Sequence, residues 1–470
     1  MSLLKASVTI FISLSLSSFI LFIIVLVGLC IRSYEKVRFE GSYDIALNSV
    51  LGEYSKALKE IYDLFYIDAS YLGEEPSIEN IERHIWLYLD RNNASIFERL
   101  RSPWGRVTIK DTDITEYRTA TAGYGSSVRQ QAVRYVREKS GLSKYEEEVA
   151  EVADIDDLTP LCAGSTFLED FSALMETIGD MELPEIYDPE ERKMVKVALN
   201  NPADWVYGMS LCDIFCNTET DVSDVPDINI DTSVLCSNTL LSNAHSNSGF
   251  ETVSREEFLV YLLDKMGSRK DVREGRVLTC ELEYILFGKS SDFMNFKAAV
   301  QRIYECRLAD NYRLALADSG LMNDAVSEAS ELEVCTYAPE FIEPVALSLV
   351  YACVYLETVS DMHLLLSGGR VPMNKASHGM NVSSVINMKK YYASGEEGLT
   401  YRQFLLAMLL LEDDLKITQR AMDMMELTVR YTTNNSDFCM DWCVERLRAD
   451  IFYAGSLYEN YRISRTYGYY

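Results

Sequence analysis

The sequence contains four histidines and few arrangements in which they could do chemistry. No HExxH pair is present, so the chain lacks that pattern for a metal-activated water. The segment at residues 208–212 approaches the turn that exposes a nucleophilic serine, but Cys212 stands where its second glycine is required. An isolated histidine is more often packed or on the surface than catalytic. The histidines are His84, His245, His363 and His378.

Two further patterns place a lysine beside a hydroxyl group. Ser33 and Lys36 have the spacing of a serine nucleophile and its lysine base, but no KTG segment follows. Gly288, Lys289 and Ser290 follow a strand-like stretch, as in a phosphate-binding loop, but Glu283 occupies the position of the first glycine. Both patterns are incomplete. We therefore predict no catalytic residues, no cofactor-binding residues and no enzyme activity.

Two acidic stretches bring several carboxylates together. The first loosely resembles a calcium loop but lacks the glycine turn and the terminal glutamate of an EF-hand, which favours a solvated loop. Its oxygen ligands would be Asp221, Asp224, Asp227, Asn229 and Asp231. The second stretch holds Asp154, Asp156 and Asp157. Paired carboxylates in a cleft can act as acid and base, so an anchored hydrolase stays as an alternative to a solvated turn.

Eleven cysteines occur in the chain. Cysteine is among the most buried residue types, so we predict buried free thiols, although disulfide connectivity remains open. The pairs Cys212/Cys216 and Cys439/Cys443 would each place two sulfurs on one face if helical. No second pair or neighbouring histidines complete a zinc site, so we predict no metal ligands.

The elements that must position any site begin with an apolar segment. Twenty-six consecutive residues between Lys5 and Arg32 carry no charge. A helix of about 20 apolar residues is long enough to span the hydrocarbon core of a bilayer. The sequence therefore predicts a transmembrane helix at residues 8–30, preceded by a short tail at residues 1–7, with the lipid bilayer as its partner.

The same segment has alternative interpretations. A cleaved signal peptide is disfavoured because the apolar run is long and no small-residue cleavage site follows it. Lipidation of Cys30 is disfavoured because Leu29 precedes it. Orientation is open: the positive charges Arg32, Lys36 and Arg38 favour a cytoplasmic domain, whereas a very short N-terminal tail normally stays inside.

The 470 residues carry a formal net charge of −28, which disfavours binding to nucleic acids or anionic lipid surfaces. Periodicity predicts a helix-rich α+β fold, in which the long N-terminal transmembrane and stalk helix precedes a mixed globular region. We expect an amphipathic stalk helix at 31–70, interrupted near Gly41, then a divergent acidic α+β region at 71–270 and a C-terminal α+β domain at 271–470. Within these we predict helices at 291–317, 344–366 and 400–430, with strands at 277–286, near 107–109 and in the C-terminal tail.

Two segments open the chain: KASVTIFISL and LNSVLGEYSKALKEIYDLFYID. Five more follow in the C-terminal half, in this order: ELEYILFGKSSDFMNFKAAVQRI, YLETVSDMHLLLSGGRVPMNK, YRQFLLAMLLL, RAMDMME and the closing YGYY. Together these segments resemble a bacterial family of single-pass membrane proteins of unknown function, related to minor pilins of the tight-adherence (Tad) pilus. The resemblance covers about residues 5–66 and 277–470.

This resemblance implies that residues 1–7 form a short cytoplasmic tail inside the cell. The bulk of the chain then forms an extracytoplasmic globular region at the cell membrane. Pilin-like relatives are often cut after a small residue and carry a glutamate five places on; here Ala6 and Phe11 hold these positions. The predicted function is a minor-pilin-like structural or assembly protein, associating with pilus or secretion-assembly membrane proteins. A cytoplasm-facing adaptor is the remaining alternative, and the sequence identifies no small-molecule ligand.

Overall fold

The computed structural model describes residues 2–71, 75–100, 107–155, 166–188, 192–207, 230–239, 253–388, 397–455 and 460–469, with backbone alone for 2–7 and 93–100. The chain forms two compact units. Unit 1 comprises Met1–Tyr135, Ser233–Val253 and Ala421–Tyr470, and unit 2 comprises Val136–Thr232 and Ser254–Arg420. Both units are therefore assembled from separate stretches, and the sequence boundaries near residues 70 and 270 stay predictions.

Helices dominate the described chain, which agrees with the predicted helix-rich α+β class. They are α1 (Ser2–Leu51), α2 (Lys56–Tyr62), α3 (Ile78–Leu100), α4 (Ala122–Glu138), α5 (Ser143–Ala153), α6 (Phe167–Asp180), α7 (Asp204–Tyr207), α8 (Cys236–Thr239), α9 (Arg255–Lys265), α10 (Glu281–Phe287), α11 (Asp292–Ala317), α12 (Ser319–Ser330), α13 (Glu333–Tyr337), α14 (Ile342–Leu366), α15 (Val382–Ile386), α16 (Tyr401–Leu411) and α17 (Asp414–Thr433). Short 3₁₀ turns occupy Thr232–Val234, Pro339–Phe341 and Met440–Trp442.

The strands form two antiparallel sheets. They are β1 (Ile67–Asp68), β2 (Thr108–Thr119), β3 (Glu185–Asp188), β4 (Lys193–Lys196), β5 (Cys443–Ala454) and β6 (Asn460–Gly468). In unit 1, β5 is the central strand and pairs with β1, β2 and β6. In unit 2, β3 and β4 form a two-stranded ribbon.

The core of unit 1 lies between helices and one face of its sheet. Buried residues recur every three or four positions in the second half of α1, as expected for an amphipathic helix. Helix α3 adds Ile81, Ile85 and Leu89. From α1 the buried side chains are Phe39, Tyr43, Ala46, Leu47 and Val50, and they meet Leu447, Ala449, Ile451 and Tyr453 of β5.

Helix α14 forms the core of unit 2. It is buried on nearly every side and packs against α6, α11, α12 and α15. The predicted helices at 291–317 and 344–366 are confirmed as α11 and α14. Ser291 caps α11, because its hydroxyl accepts a hydrogen bond from the Met294 N–H at 3.2 Å.

Four details differ from the sequence predictions. The strand predicted at 277–286 is wrong, because Glu281–Phe287 is helical and ends at Gly288 in the left-handed conformation (φ 59°). The helix predicted at 400–430 is divided between α16 and α17. Helix α1 passes Gly41 without interruption and ends at Leu51, short of residue 70. The short strand expected near Ile109 extends to Thr119 as β2.

Candidate membrane-anchoring site

The first half of α1 presents apolar side chains in every direction. Sixteen large apolar residues between Val8 and Leu29 are 43–72% exposed, and residues 8–29 span about 33 Å at about 1.5 Å per residue. Water-exposed apolar surface on this scale is rare in soluble monomers. Because the length matches the ~30 Å hydrocarbon core, this helix is consistent with a single-pass membrane anchor.

The polar groups of this segment are compatible with lipid. Helical hydrogen bonds satisfy its backbone internally, which a membrane-spanning segment requires. The Ser13 hydroxyl donates to the Ile10 carbonyl at 2.9 Å, so this side chain is also satisfied within the helix. Among the described helices, Pro339–Leu366 is also long and apolar, but two thirds of its most apolar window (67%) is buried inside the protein, as in a core helix.

The second half of α1 is fixed to the sheet of unit 1 by packing. The rings of Phe39 and Tyr453 lie 4.0 Å apart, and the Tyr43 hydroxyl donates to the Ala449 carbonyl at 2.7 Å. Burial of that hydroxyl, beside the carboxylate of Asp450, raises the pKa of Tyr43 above its usual value. The helix is thus part of the core of unit 1, and its apolar first half extends from that core.

Ion pairs and a close backbone approach add to this packing. The Arg465 guanidinium of β6 lies 3.3 Å from Asp44 and 3.7 Å from Glu40 of α1. A β-carbon on Gly455, directly after β5, would lie 2.7 Å from Glu35 Oε2. The end of the β5 strand is therefore level with Glu35, about one helical turn beyond the apolar segment.

Unit 2 contains a buried ionic network that the sequence analysis missed. Arg307 of α11 is fully buried, and its guanidinium donates to Asp361 at 3.1 Å and to Asp310 at 2.9 Å. The Lys375 ammonium lies 2.6 Å from both Asp361 and Glu357. The spacing of Glu357 and Asp361, four residues apart in an otherwise apolar helix, is the pattern that would have identified it.

This network is closed to ligands. Its carboxylates are at most 3% exposed, and Arg307 also donates to the backbone carbonyls of Pro372 (3.0 Å) and Met373 (2.7 Å). The charged groups compensate one another inside the protein, which is how buried charges are normally tolerated. Its effect is to join α11, α14 and the segment that carries Lys375.

Three other buried carboxyl groups are weaker acids than usual. Burial raises the pKa of Glu281, Glu283 and Glu426 to about 7 in each case. Glu281 accepts from the Gly267 N–H at 2.6 Å, and Glu283 accepts from the Arg269 N–H at 3.0 Å. These glutamates hold backbone segments in place, and each is isolated from solvent.

The histidines considered in the sequence analysis lie apart. His84 Nδ1 lies 2.9 Å from Glu53, and its ring stacks on Tyr71 at 3.9 Å. His378 Nε2 lies 3.2 Å from Asp318, and His363 lies in the last turn of α14. His245 falls outside the described residues. Ser33 and Lys36 lie on α1 with exposed side chains, and Lys289 follows a helix instead of a strand.

The other predicted sites are only partly described. Asp154 is exposed at the end of α5, whereas Asp156, Asp157 and residues 221–229 of the acidic loop lie outside the described residues. Cys212 and Cys216 also lie outside the described residues. Cys439 and Cys443 do not share a helix, because they flank the 3₁₀ turn Met440–Trp442, and Cys443 Sγ donates to the Cys439 carbonyl at 3.6 Å. Over the part of the chain that is described, no three potential metal ligands cluster.

The eight cysteines in the described residues are all free thiols. Beyond Cys30, seven are buried or partly buried, which fits the prediction of buried thiols. Burial raises the pKa of Cys306 to about 11 and that of Cys353 to about 12, so these thiols are poor nucleophiles.

Comparison with known proteins identifies a family but no characterised relative. Residues 193–455 match the model of a family of unknown function, DUF5702. The match includes part of the acidic stretch before residue 277 as well as most of the C-terminal half. No curated protein and no solved structure matches the chain.

Proposed function

We propose a function for this chain, which belongs to the family of unknown function DUF5702. In this proposal the chain is a single-pass membrane protein that displays its globular units at the cell surface and acts by association with other proteins. The single observation that carries the proposal is the exposed apolar segment of α1. Within the described part of the chain its side chains have no protein to pack against, whereas acyl chains would cover them.

The rigid attachment of α1 to the core of unit 1 supports an assembly role, because a helix that served only as a tether would not need it. Because α1 continues from the apolar segment into the core of unit 1, a force or contact on the membrane helix reaches the sheet directly. Ser13, Ser15, Ser17 and Ser18 are small enough for another helix to approach closely within the bilayer. Minor-pilin-like assembly with pilus or secretion-assembly membrane proteins is the specific form that we propose.

Charge distribution supports an interaction role for unit 2. Unit 1 has 20 Lys and Arg against 24 Asp and Glu, so the remaining 24 basic and 48 acidic residues of the chain belong to unit 2. The excess acid therefore lies almost entirely in the unit without the apolar helix. A strongly acidic unit stays soluble and favours partners with basic surfaces.

A cytoplasm-facing adaptor is the second candidate, and one observation favours it. The described cysteines form no disulfide, as is usual on the reducing side of a membrane. Labelling of intact cells with a membrane-impermeant maleimide separates the two. Tyr431 is 66% exposed in unit 1, so Tyr431→Cys supplies an accessible thiol. The labelling of the unsubstituted chain gives the background to subtract. Labelling in intact cells supports surface display; labelling only after lysis supports the adaptor.

Processing of the N-terminus tests the pilin-like form of the proposal. N-terminal sequencing of the membrane-bound protein should give a chain that begins at Ser7 if a prepilin peptidase cuts after Ala6. A chain that begins at Met1 or Ser2 would remove pilin-like processing while leaving the membrane anchor in place.

A further inference from the structure

We propose that the end of the unit 1 sheet beside Glu35 is a second membrane contact, which binds the phosphate groups of lipid headgroups. This inference rests on the proposed function, because it requires residues 8–30 to lie in a bilayer. We call this contact surface the headgroup face. It consists of Arg32 and Lys36 of α1, Lys110 of β2, Phe452 of β5 and Arg462 of β6.

The strand register brings these residues to one end of the sheet. Ala454, at the end of β5, pairs with Thr108 at the start of β2 and with Asn460 at the start of β6. The contacts of Phe39 with Tyr453 and of Glu35 with Gly455 set this end beside the start of the packed half of α1. Three strand ends and the helix therefore meet at one level.

The depth of this end of the sheet matches the polar layer of a membrane. Glu35 is four residues beyond Ile31, or about 6 Å along the helix. Each polar layer of a bilayer is about 5–8 Å thick, since it separates a core of ~30 Å from a total of ~40–45 Å. With residues 8–30 in the core, the end of the sheet lies at the depth of the phosphates.

The side chains at this end suit that environment. Arg32, Lys36 and Lys110 are exposed, and Arg462 is 57% exposed at its side chain. The Arg462 guanidinium lies 5.5 Å from the centre of the Phe452 ring, which is itself 37% exposed. A cationic group combined with an aromatic ring is typical of residues at a membrane interface.

Acidic groups at this end limit the attraction. Asp450 is buried and paired with Arg462, Glu35 is buried beside Gly455, and Glu40 lies 4.0 Å from the Lys36 ammonium. Asp111, which lies opposite Phe452, is exposed. The near balance of charge over unit 1 means that anionic lipid does not repel this unit as it would repel unit 2.

Photo-crosslinking of the full chain in vesicles tests this contact. The photoreactive amino acid benzoylphenylalanine replaces Phe452 in one variant and Tyr431 in the other, and the vesicles contain phosphatidylcholine with or without phosphatidylglycerol. Tyr431 serves as the control because it is exposed near Asn435, which bonds to Ser70 close to the opposite end of β5. We expect lipid adducts at position 452 and none at 431, with a higher yield when phosphatidylglycerol is present.

Charge reversal provides the matched comparison. Lys110→Glu should lower the adduct yield at position 452 by at least about 5-fold, because each basic residue near an anionic surface contributes about 1 kcal/mol and the new carboxylate is itself repelled. Lys56→Glu, the same change at an exposed residue of α2 beyond the far end of α1, should leave the yield unchanged. A chain that resists carbonate extraction but gives no adduct at 452 overturns the inference and leaves the anchor standing. Release of the chain by carbonate overturns both.

Discussion

Tyr469 donates a hydrogen bond of 2.7 Å to the backbone carbonyl of Leu51, the last residue of α1. The last carbonyls of a helix have no partner within the helix, so a residue from the far end of the sequence supplies one here. The Tyr469 ring also lies 5.7 Å from Phe65, and its N–H donates to the Glu445 carbonyl at 3.3 Å. The chain segment after β6 thereby holds the end of the helix that carries the apolar segment.

Tyr469→Phe removes this hydrogen bond and keeps the aromatic ring. We expect the free energy of unfolding of unit 1 to fall by about 1 kcal/mol, the usual net value of one hydrogen bond. Chemical denaturation of the full chain in detergent measures the change. Tyr431→Phe is the control, because that ring is 66% exposed, and it should have no effect. Equal stability of both variants would show that the Leu51 carbonyl is satisfied by other means.

Phe39→Ala should destabilise unit 1 by about 3–5 kcal/mol, because it empties a buried site against Tyr453. Tyr34→Ala, on the same helix but 52% exposed, should change stability by less than about 0.5 kcal/mol. Thermal unfolding of the two variants in detergent gives the comparison. If Phe39→Ala were as stable as Tyr34→Ala, α1 would be a tether and not part of the core.

Arg307→Met should destabilise unit 2 by about 3–5 kcal/mol, because it leaves Asp310 and Asp361 with one fewer buried cation. The control is Arg302→Met on the same helix, whose 3.4 Å pair with Glu305 is partly exposed and contributes little. Urea denaturation of both variants tests this, and a smaller loss for Arg307→Met than for Arg302→Met would contradict the structural role of the network.

Stability of unit 2 should fall as pH rises. Burial raises the folded-state pKa of Glu283 from 4.5 to about 7, so the folded state retains its proton where the unfolded state releases it. The stabilisation is complete below about pH 4.5 and is lost by about pH 7. Glu283→Gln, which cannot ionise, should reduce the decline in unfolding free energy between pH 5 and pH 8. An unchanged slope in that variant would assign the pH dependence to other groups.

Local patterns predicted the apolar segment, α11 and α14 because each depends on residues close in sequence. The end of α1 was missed because apolar residues continue at helical spacing beyond it. Ser55 starts a new helix there, with its hydroxyl accepting from the Leu58 N–H. Gly288 was considered as part of a phosphate loop although glycine after an apolar run also ends helices, and its φ of 59° shows that role.

Long-range pairing was beyond the reach of the sequence. Strand β5 joins β2 with Thr108 opposite Ala454, a separation that no local periodicity encodes. The same holds for Arg307 and Lys375, whose shared partner Asp361 lies on another helix. Charged residues inside apolar helices were the indication of that network available in the sequence. The headgroup face depends on strand register, so only the structure could reveal it.

Membrane integration of the full chain is measured most directly by extraction of cell membranes with alkaline carbonate, followed by flotation on a density gradient. The chain should remain in the membrane fraction and float with lipid. Phe19→Asp with Ile23→Asp should release it, whereas Val37→Asp with Ile45→Asp, at exposed apolar positions beyond the apolar segment, should not. Recovery of the unsubstituted chain in the soluble fraction without detergent would contradict the anchor and every proposal that depends on it.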